Sequence, residues 1–71
     1  MTNQQQQIID YCERYGSITN IQAMRELNMC DFRKRLSELR AMGYVFADIQ
    51  EPNKNNNGYH KRYFYGGKRN G

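Results

Sequence analysis

Residues 16–46 read GSITNIQAMRELNMCDFRKRLSELRAMGYVF, and this stretch decides the fold. Its pattern predicts two short helices joined by a tight turn. Thr19 is placed to cap the first helix, and Gln22, three residues later, completes a capping box in which each side chain meets a free backbone amide. Asn28 then tolerates the left-handed conformation that a sharp turn requires. The buried stripe of this first helix is predicted to consist of Ala23, Met24 and Leu27.

The second helix of the pair is predicted over residues 31–42. Asp31 is a good acceptor for the free amides at its start, and Gly43 terminates it. Its apolar residues recur at i, i+4 and i+7, so they share one face that we expect to be buried. Arginine and lysine occupy much of the remaining surface. The expected core residues of this helix are Phe32, Leu36 and Leu39.

A further helix is predicted upstream of this pair. Thr2 or Asn3 can cap it, and it runs to about Tyr15, where Gly16 supplies the left-handed residue that ends it. Residues 17–18 are too few for more than a bridge or a one-pair strand. The face expected to lie mostly in the core carries Gln5, Ile8, Ile9, Cys12 and Tyr15.

Beyond residue 43 the hydrophobic period changes from helical to alternating. Residues 44–49 alternate as a strand does, and residues 59–65 alternate again. Between them the polar stretch 51–58 ends in a strong turn dipeptide, Asn-Gly. The sequence therefore predicts a β-hairpin with a long tip, followed by a basic disordered tail over residues 66–71.

Charge is distributed unevenly along the 71 residues, whose net charge is +4. Residues 1–30 carry two basic and three acidic side chains, whereas residues 31–71 carry nine basic and four acidic ones. A one-sided balance of this kind favours a polyanion as partner. A chain of this length is expected to form one domain.

Several functional classes are excluded by what the sequence contains. The two cysteines, Cys12 and Cys30, have only His60 as a further soft ligand, so we expect no metal site. The acids form no pair suited to acid–base chemistry, and neither a nucleophilic triad nor a glycine-rich phosphate loop is present. We therefore expect no enzyme activity and no cofactor. We also expect no membrane segment, and a location in the cytoplasm of a bacterial host cell.

Together these motifs resemble the small winged helix-turn-helix proteins that are common in bacteriophages and prophages. That family has a G-S-I-T start, an apolar-rich second helix and an S-x-L-R-x-x-G-Y ending. The resemblance implies an α+β fold, a winged helix-turn-helix domain over residues 1–65 with three helices followed by a β-hairpin wing, and DNA binding. The chain departs from the family at Asn28, where glycine is usual, and at Arg33-Lys34, where small residues are common. The matching residues are Gly16, Ser17, Ile18, Thr19, Ala23, Leu27, Met29, Arg35, Leu36, Ser37, Glu38, Leu39, Arg40, Gly43, Tyr44 and Tyr63.

Helix 31–42 supplies the first set of candidate DNA contacts. Advancing 100° per residue from Phe32 places Arg33, Lys34 and Ser37 away from the core, where they can reach base edges in the major groove. Arg35 and Arg40 flank the core stripe. They are candidates for phosphate contacts or for internal salt bridges, with Asp31 or Glu38 as possible partners of Arg35.

The second set of candidates lies outside this helix. Exposed amides at a helix start commonly contact a phosphate, which makes Thr19, Asn20 and Gln22 candidates. The wing offers basic side chains for the adjacent minor groove or backbone: Lys54, His60, Lys61 and Arg62. Stacking on a base is left open only for Tyr59 among the tyrosines.

Two hypotheses about function follow. The first is a phage-type, sequence-specific protein that binds double-stranded DNA, either a transcriptional regulator or an excisionase-like architectural factor, acting as a homodimer or in cooperative arrays. The second is a phage-encoded inhibitor that uses the winged-helix scaffold to bind a host protein such as a defence-system nuclease. Duplex binding at low salt distinguishes the two, because only the first predicts it.

Overall fold

The computed structural model describes residues 2–54 and 58–69. It contains three helices and one three-stranded antiparallel sheet with the strand order β1-β3-β2, so the predicted α+β winged helix-turn-helix architecture is confirmed. In chain order the elements are α1 (Asn3–Tyr15), β1 (Ser17–Thr19), α2 (Asn20–Glu26), α3 (Phe32–Ala41), β2 (Tyr44–Pro52) and β3 (Tyr59–Lys68).

Helix α1 begins and ends where its caps predict. Thr2 and Gln5 form a reciprocal capping box, and Gly16 ends the helix in the left-handed conformation with φ 88°. The buried side chain of Gln5 also donates a hydrogen bond to Glu38 on α3, at 2.8 Å. The N-terminal turn of α1 is thereby tied to the helix that bears most of the candidate DNA contacts.

The turn between α2 and α3 also agrees with its local sequence signals. Thr19 and Gln22 form the predicted capping box, and Asn28 adopts a left-handed backbone with φ 53°. Met29 follows it into the core, where its side chain is fully buried. Asp31 lies at the N-cap of α3, directly before Phe32, but the prediction that its side chain accepts a hydrogen bond from the first amides is wrong, because it makes no such bond.

A small apolar core lies between the three helices and the inner face of the sheet. Phe32 on α3 meets Tyr63 on β3 edge to face, with ring centroids 5.5 Å apart. The prediction that Met24 is buried is wrong, since its side chain is 51% exposed. Helix α2 has only seven residues, and Ala23 is its one fully covered position. The core residues are Ile8, Ile9, Cys12, Ile18, Ala23, Met29, Phe32, Leu36, Leu39, Phe46 and Tyr63.

Two strands of the sheet, β1 and β3, are longer than predicted. Residues 17–19 form a three-residue strand on β3, with Ile18 opposite Tyr63, rather than a single pair. Strand β3 continues through Lys68 past an irregularity opposite residues 45 and 46. The backbone amide of Arg69 then donates to the carbonyl of Gly43. The prediction of a disordered tail from residue 66 is therefore wrong for residues 66–69, while residues 70–71 lie outside the described residues.

The wing consists of β2, β3 and the loop that joins them. The amide of Asn53 donates to the carbonyl of Gly58 at 3.1 Å, which closes the base of this loop. Residues 55–57, where the sequence places the asparagine-rich tip, lie outside the described residues.

Candidate nucleic-acid interface

The outer face of α3 presents two basic side chains that have no bonded partner among the described residues. Phe32, Leu36 and Leu39 turn inward as predicted and are buried, which leaves Arg33, Lys34 and Ser37 exposed on the opposite side. Within residues 2–54 and 58–69, the side chains of Arg33 and Lys34 take part in no hydrogen bond and no ion pair. Lys34 lowers the pKa of Glu38 only as the smallest of several causes. Arg33 and Lys34 therefore carry positive charge that no bonded carboxylate of the described residues neutralises.

Arg35, on the same helix, has an internal role. Its guanidinium donates to both carboxylate oxygens of Glu38, at 2.9 and 3.0 Å, and to the side chain of Gln4 on α1. Hydrogen bonds from Arg35 and then Gln5 hold the pKa of Glu38 below its ordinary value. From the sequence, Arg35 could form either a phosphate contact or an internal salt bridge. In the structure it forms a salt bridge with Glu38.

Arg40 fastens the other end of α3 to the sheet. Its guanidinium donates to the backbone carbonyl of Phe46 at 3.0 Å, and its Nη2 lies 3.9 Å from a carboxylate oxygen of Asp48. The same group lies over the ring of Tyr63, 5.7 Å from its centroid. These contacts fix the angle between α3 and β2, so Arg40 positions the helix.

A cleft of about 440 Å³ separates α2 and α3 from the wing. The start of α2 forms one wall, with exposed Asn20 beside Thr19 and Ile21. Thr19 is buried and, with Gln22, is already satisfied by the capping box. Of the three predicted phosphate contacts at this helix start, Asn20 has the most accessible side chain.

The wing cations are matched by carboxylates on the facing strand. Lys61 lies 3.6 Å from Asp48, and Arg62 donates to Glu51 at 3.0 Å and to the hydroxyl of Ser17. The His60 ring nitrogens lie 3.0 Å from the same Glu51 oxygen and 2.7 Å from the side-chain oxygen of Asn53. Hydrogen bonds from Arg62 and, to a smaller extent, His60 lower the pKa of Glu51.

One predicted wing contact differs from the others. Lys54 is exposed and makes no ion pair with any residue of the described part of the chain. It lies where the wing loop begins, next to Asn53. Among the four predicted wing contacts, Lys54 is thus the one whose charge is not balanced by a bonded carboxylate.

The cleft also holds residues that the sequence did not single out as contacts. Ile21 and Gln50 line it together with Arg33, and Tyr59, for which only stacking had been left open, lines it too. Strand alternation gave a signal for this surface, because Tyr59, Lys61 and Tyr63 share a face. Nothing in the sequence indicated that α2 would lie opposite that face.

No constellation within the described ranges suggests catalysis. Burial raises the pKa of the Cys12 thiol to about 12, which leaves it protonated at neutral pH. Burial and a hydrogen bond to Glu26 raise the pKa of Tyr11 to about 12. The same residues contain no group of three or more side chains suited to holding a metal ion. None of their helices has the length and apolar character needed to cross a membrane.

A helix-turn-helix with a cationic outer helix face, joined to an antiparallel wing, defines the winged-helix class of DNA-binding domains. Comparison with protein families gives the same result, since residues 3–64 match the family described as winged helix-turn-helix domain. The chain belongs to this family, whose members are typically DNA-binding and not enzymatic. Neither curated proteins nor solved structures give a significant match.

Proposed function

We propose that the protein is a small phage-type, sequence-specific DNA-binding protein. It acts in the cytoplasm of a bacterial host as a transcriptional regulator or as an excisionase-like architectural factor. Helix α3 enters the major groove of duplex DNA, and the wing contacts the backbone or the minor groove alongside. Family membership supports the general function, DNA binding.

The observation that carries the proposal is the absence of carboxylate partners for Arg33 and Lys34 among the described residues. An arginine on a recognition helix can donate two hydrogen bonds to guanine, which distinguishes that base from the others. Lys34 supplies a compact charge for a phosphate or for a base acceptor. Exposed Ser37, one turn further along, completes the base-reading set.

The remaining cations of α3 position this reading surface, and the start of α2 adds a contact with the DNA backbone. Arg35 and Arg40 hold α3 against α1 and β2 through the contacts described above. Asn20, at the start of α2, is placed to contact a phosphate. Because one monomer offers few base contacts, we expect two copies on spaced half-sites, or a cooperative array.

The test is duplex binding measured by fluorescence anisotropy over a range of salt concentrations. Each neutralised phosphate is expected to add roughly −0.9 to the slope of log affinity against log salt. Replacing both Arg33 and Lys34 with alanine is expected to weaken binding at least about 30-fold, since two base contacts at roughly 1–3 kcal/mol each sum to at least about 2 kcal/mol. The thermal unfolding of the double variant is expected to match the wild type, because both side chains are exposed.

Arg14→Ala provides the control, since it removes a cation from α1, where the guanidinium lies over the ring of Tyr15 and forms no ion pair with any described residue. This variant is expected to retain wild-type affinity to within about twofold. Unchanged binding by the α3 double variant would refute the assignment of α3 as the reading helix. Absence of duplex binding by the wild type at low salt would refute the proposed function altogether.

One observation favours the alternative function, inhibition of a host protein. Ile49 and Phe64 lie on the sheet face opposite the core and are 51% and 39% exposed. Exposed apolar side chains on one face are typical of surfaces that bind proteins. The same salt titration tests this alternative, because an inhibitor of this kind predicts no duplex binding at low salt.

A further inference from the structure

The wing carries a tyrosine that takes no part in the core. Tyr59 is 67% exposed and lies opposite Pro52 in the β2–β3 register. Tyr63 and Tyr65, on the same strand, meet Phe32 and Phe46 respectively. Within residues 2–54 and 58–69, the Tyr59 ring makes no aromatic or cation contact and its hydroxyl makes no hydrogen bond. Core packing therefore does not explain this side chain.

Tyr59 faces a surface that has the chemistry of a nucleic-acid strand contact. Across the cleft lie Ile21, whose side chain is 51% exposed, and the unpaired Arg33. Gln50, which pairs with Lys61 across the hairpin, adds an amide to the same cleft. An aromatic ring, an aliphatic side chain and an amide suit the sugar and base edges of a strand, while Arg33 suits its phosphates or a guanine.

The ion pairs of the wing also favour Tyr59 as its contact with DNA. Lys61 and Arg62 lie 3.6 and 3.0 Å from carboxylate oxygens, so their attraction for phosphate is partly cancelled. On the wing side of the cleft, a strand that passes between α3 and the wing therefore meets the uncharged groups Tyr59 and Gln50 beside the partly neutralised Lys61. Tyr59 offers the largest exposed apolar surface among those groups.

We propose that Tyr59 is an affinity-determining DNA contact of the wing. Its ring packs against a deoxyribose and the adjoining base edge of the strand that runs through the cleft, and Gln50 offers its amide to the same strand. This inference rests on the proposed duplex binding and assigns the wing contact to an uncharged side chain instead of the predicted basic ones. Such a contact displaces no counterions, so it strengthens binding without changing the salt slope.

The test compares Tyr59→Ala and Tyr59→Phe in the full chain, using a fluorescein-labelled random-sequence duplex at several potassium chloride concentrations. Tyr59→Ala is expected to bind about tenfold more weakly at every salt concentration, as loss of an aromatic contact to nucleic acid typically does. The slope of log affinity against log salt is expected to stay that of the wild type. Tyr59→Phe is expected to bind like the wild type, because the ring is retained.

Tyr15→Ala is the matched control, since Tyr15 is a similarly exposed tyrosine on α1, outside the cleft. It is expected to leave binding unchanged, and thermal unfolding of Tyr59→Ala is expected to match the wild type. Wild-type affinity for Tyr59→Ala, or a shallower salt slope, would overturn the inference while leaving the proposed function intact. Failure of the wild type to bind any duplex would overturn both.

Discussion

Helix α3 and the wing each contain a pair of adjacent basic side chains, Arg33 with Lys34 and Lys61 with Arg62, and the surroundings of the two pairs differ. Arg33 and Lys34 have no bonded partner among the described residues, whereas Lys61 and Arg62 face Asp48 and Glu51 across the hairpin. Counting cations along the chain makes the two regions look equivalent. The two regions differ in ion pairing. A carboxylate bonded to a cation cancels part of the positive potential that would otherwise attract a phosphate.

This difference indicates a division of labour within the interface. The unpaired cations of α3 are available to neutralise phosphates and to read bases, so they should determine the salt dependence of binding. The paired cations of the wing join β2 to β3 through Asp48 and Glu51. Exposed charge pairs of this kind contribute little to stability, typically up to about 1 kcal/mol. Their main consequence here is a less positive wing.

The largest effect is expected from converting the wing into a second cationic region. Replacing Asp48 with asparagine and Glu51 with glutamine leaves Lys61 and Arg62 without bonded carboxylates and also removes the ion pair of Asp48 with Arg40 on α3. We expect duplex affinity at low salt to rise about tenfold and the salt slope to steepen by up to about 0.9 for each new phosphate contact. Anisotropy titrations over a range of salt concentrations measure both quantities.

A matched control removes the same amount of negative charge elsewhere. Asp10→Asn combined with Glu13→Gln alters two exposed carboxylates of α1, outside the cleft. If this control gains as much affinity as the wing variant, net charge alone explains the gain. Ion pairing would then not distinguish the wing from α3 in their attraction for DNA.

A smaller effect is expected from replacing Arg40, because the contacts of this cation stabilise the fold. Replacement with alanine removes the hydrogen bond to the carbonyl of Phe46 and the contact with the ring of Tyr63. Because the side chain is 43% exposed, we expect a loss of about 1 kcal/mol in the free energy of unfolding. Urea denaturation measures this loss. The salt slope of the folded variant should equal that of the wild type, and a shallower slope would show that Arg40 contacts phosphate.

Sequence reasoning was most successful where the deciding interactions are local. The two capping boxes join residues three positions apart, and the left-handed backbone at Asn28 depends on the preference of a single residue. The buried stripe of α3 also follows from helical spacing alone. For these reasons the order of elements and the outer face of α3 were predicted correctly.

Sequence reasoning failed where the outcome depends on register or on distant neighbours. Whether Arg62 meets Glu51 depends on how β2 pairs with β3, and a shift of one residue would exchange the two faces of a strand. The fate of Met24 depended on whether another element covers α2. Similarly, the continuation of β3 to Lys68 depends on its pairing with β2 beyond the irregularity.

The smallest expected effect concerns stability at acid pH. It compares the carboxylate that is paired with a cation of α3 with the one that is paired with a cation of the wing. The pKa of Glu38, held by Arg35, and that of Glu51, held by Arg62, are both lowered from their ordinary value of 4.5. A carboxylate whose folded pKa is depressed stabilises the fold above its unfolded pKa, and this stabilisation is lost as pH falls through the folded value. The wild type should therefore lose stability as the pH falls below about 4.5, because both groups become protonated.

Glutamine at either position removes the titrating group and should flatten this part of the profile, which urea denaturation between about pH 3 and pH 7 can follow. Glu38→Gln should have the larger effect on the whole fold, because Glu38 joins α3 to α1 through Gln5, whereas Glu51 joins only β-strands. Glu13→Gln serves as the control, since Glu13 is exposed and makes no ion pair with any described residue. If the free energy of unfolding of all three variants changes with pH as that of the wild type does, the ion pairs of α3 and of the wing make no measurable contribution to acid stability.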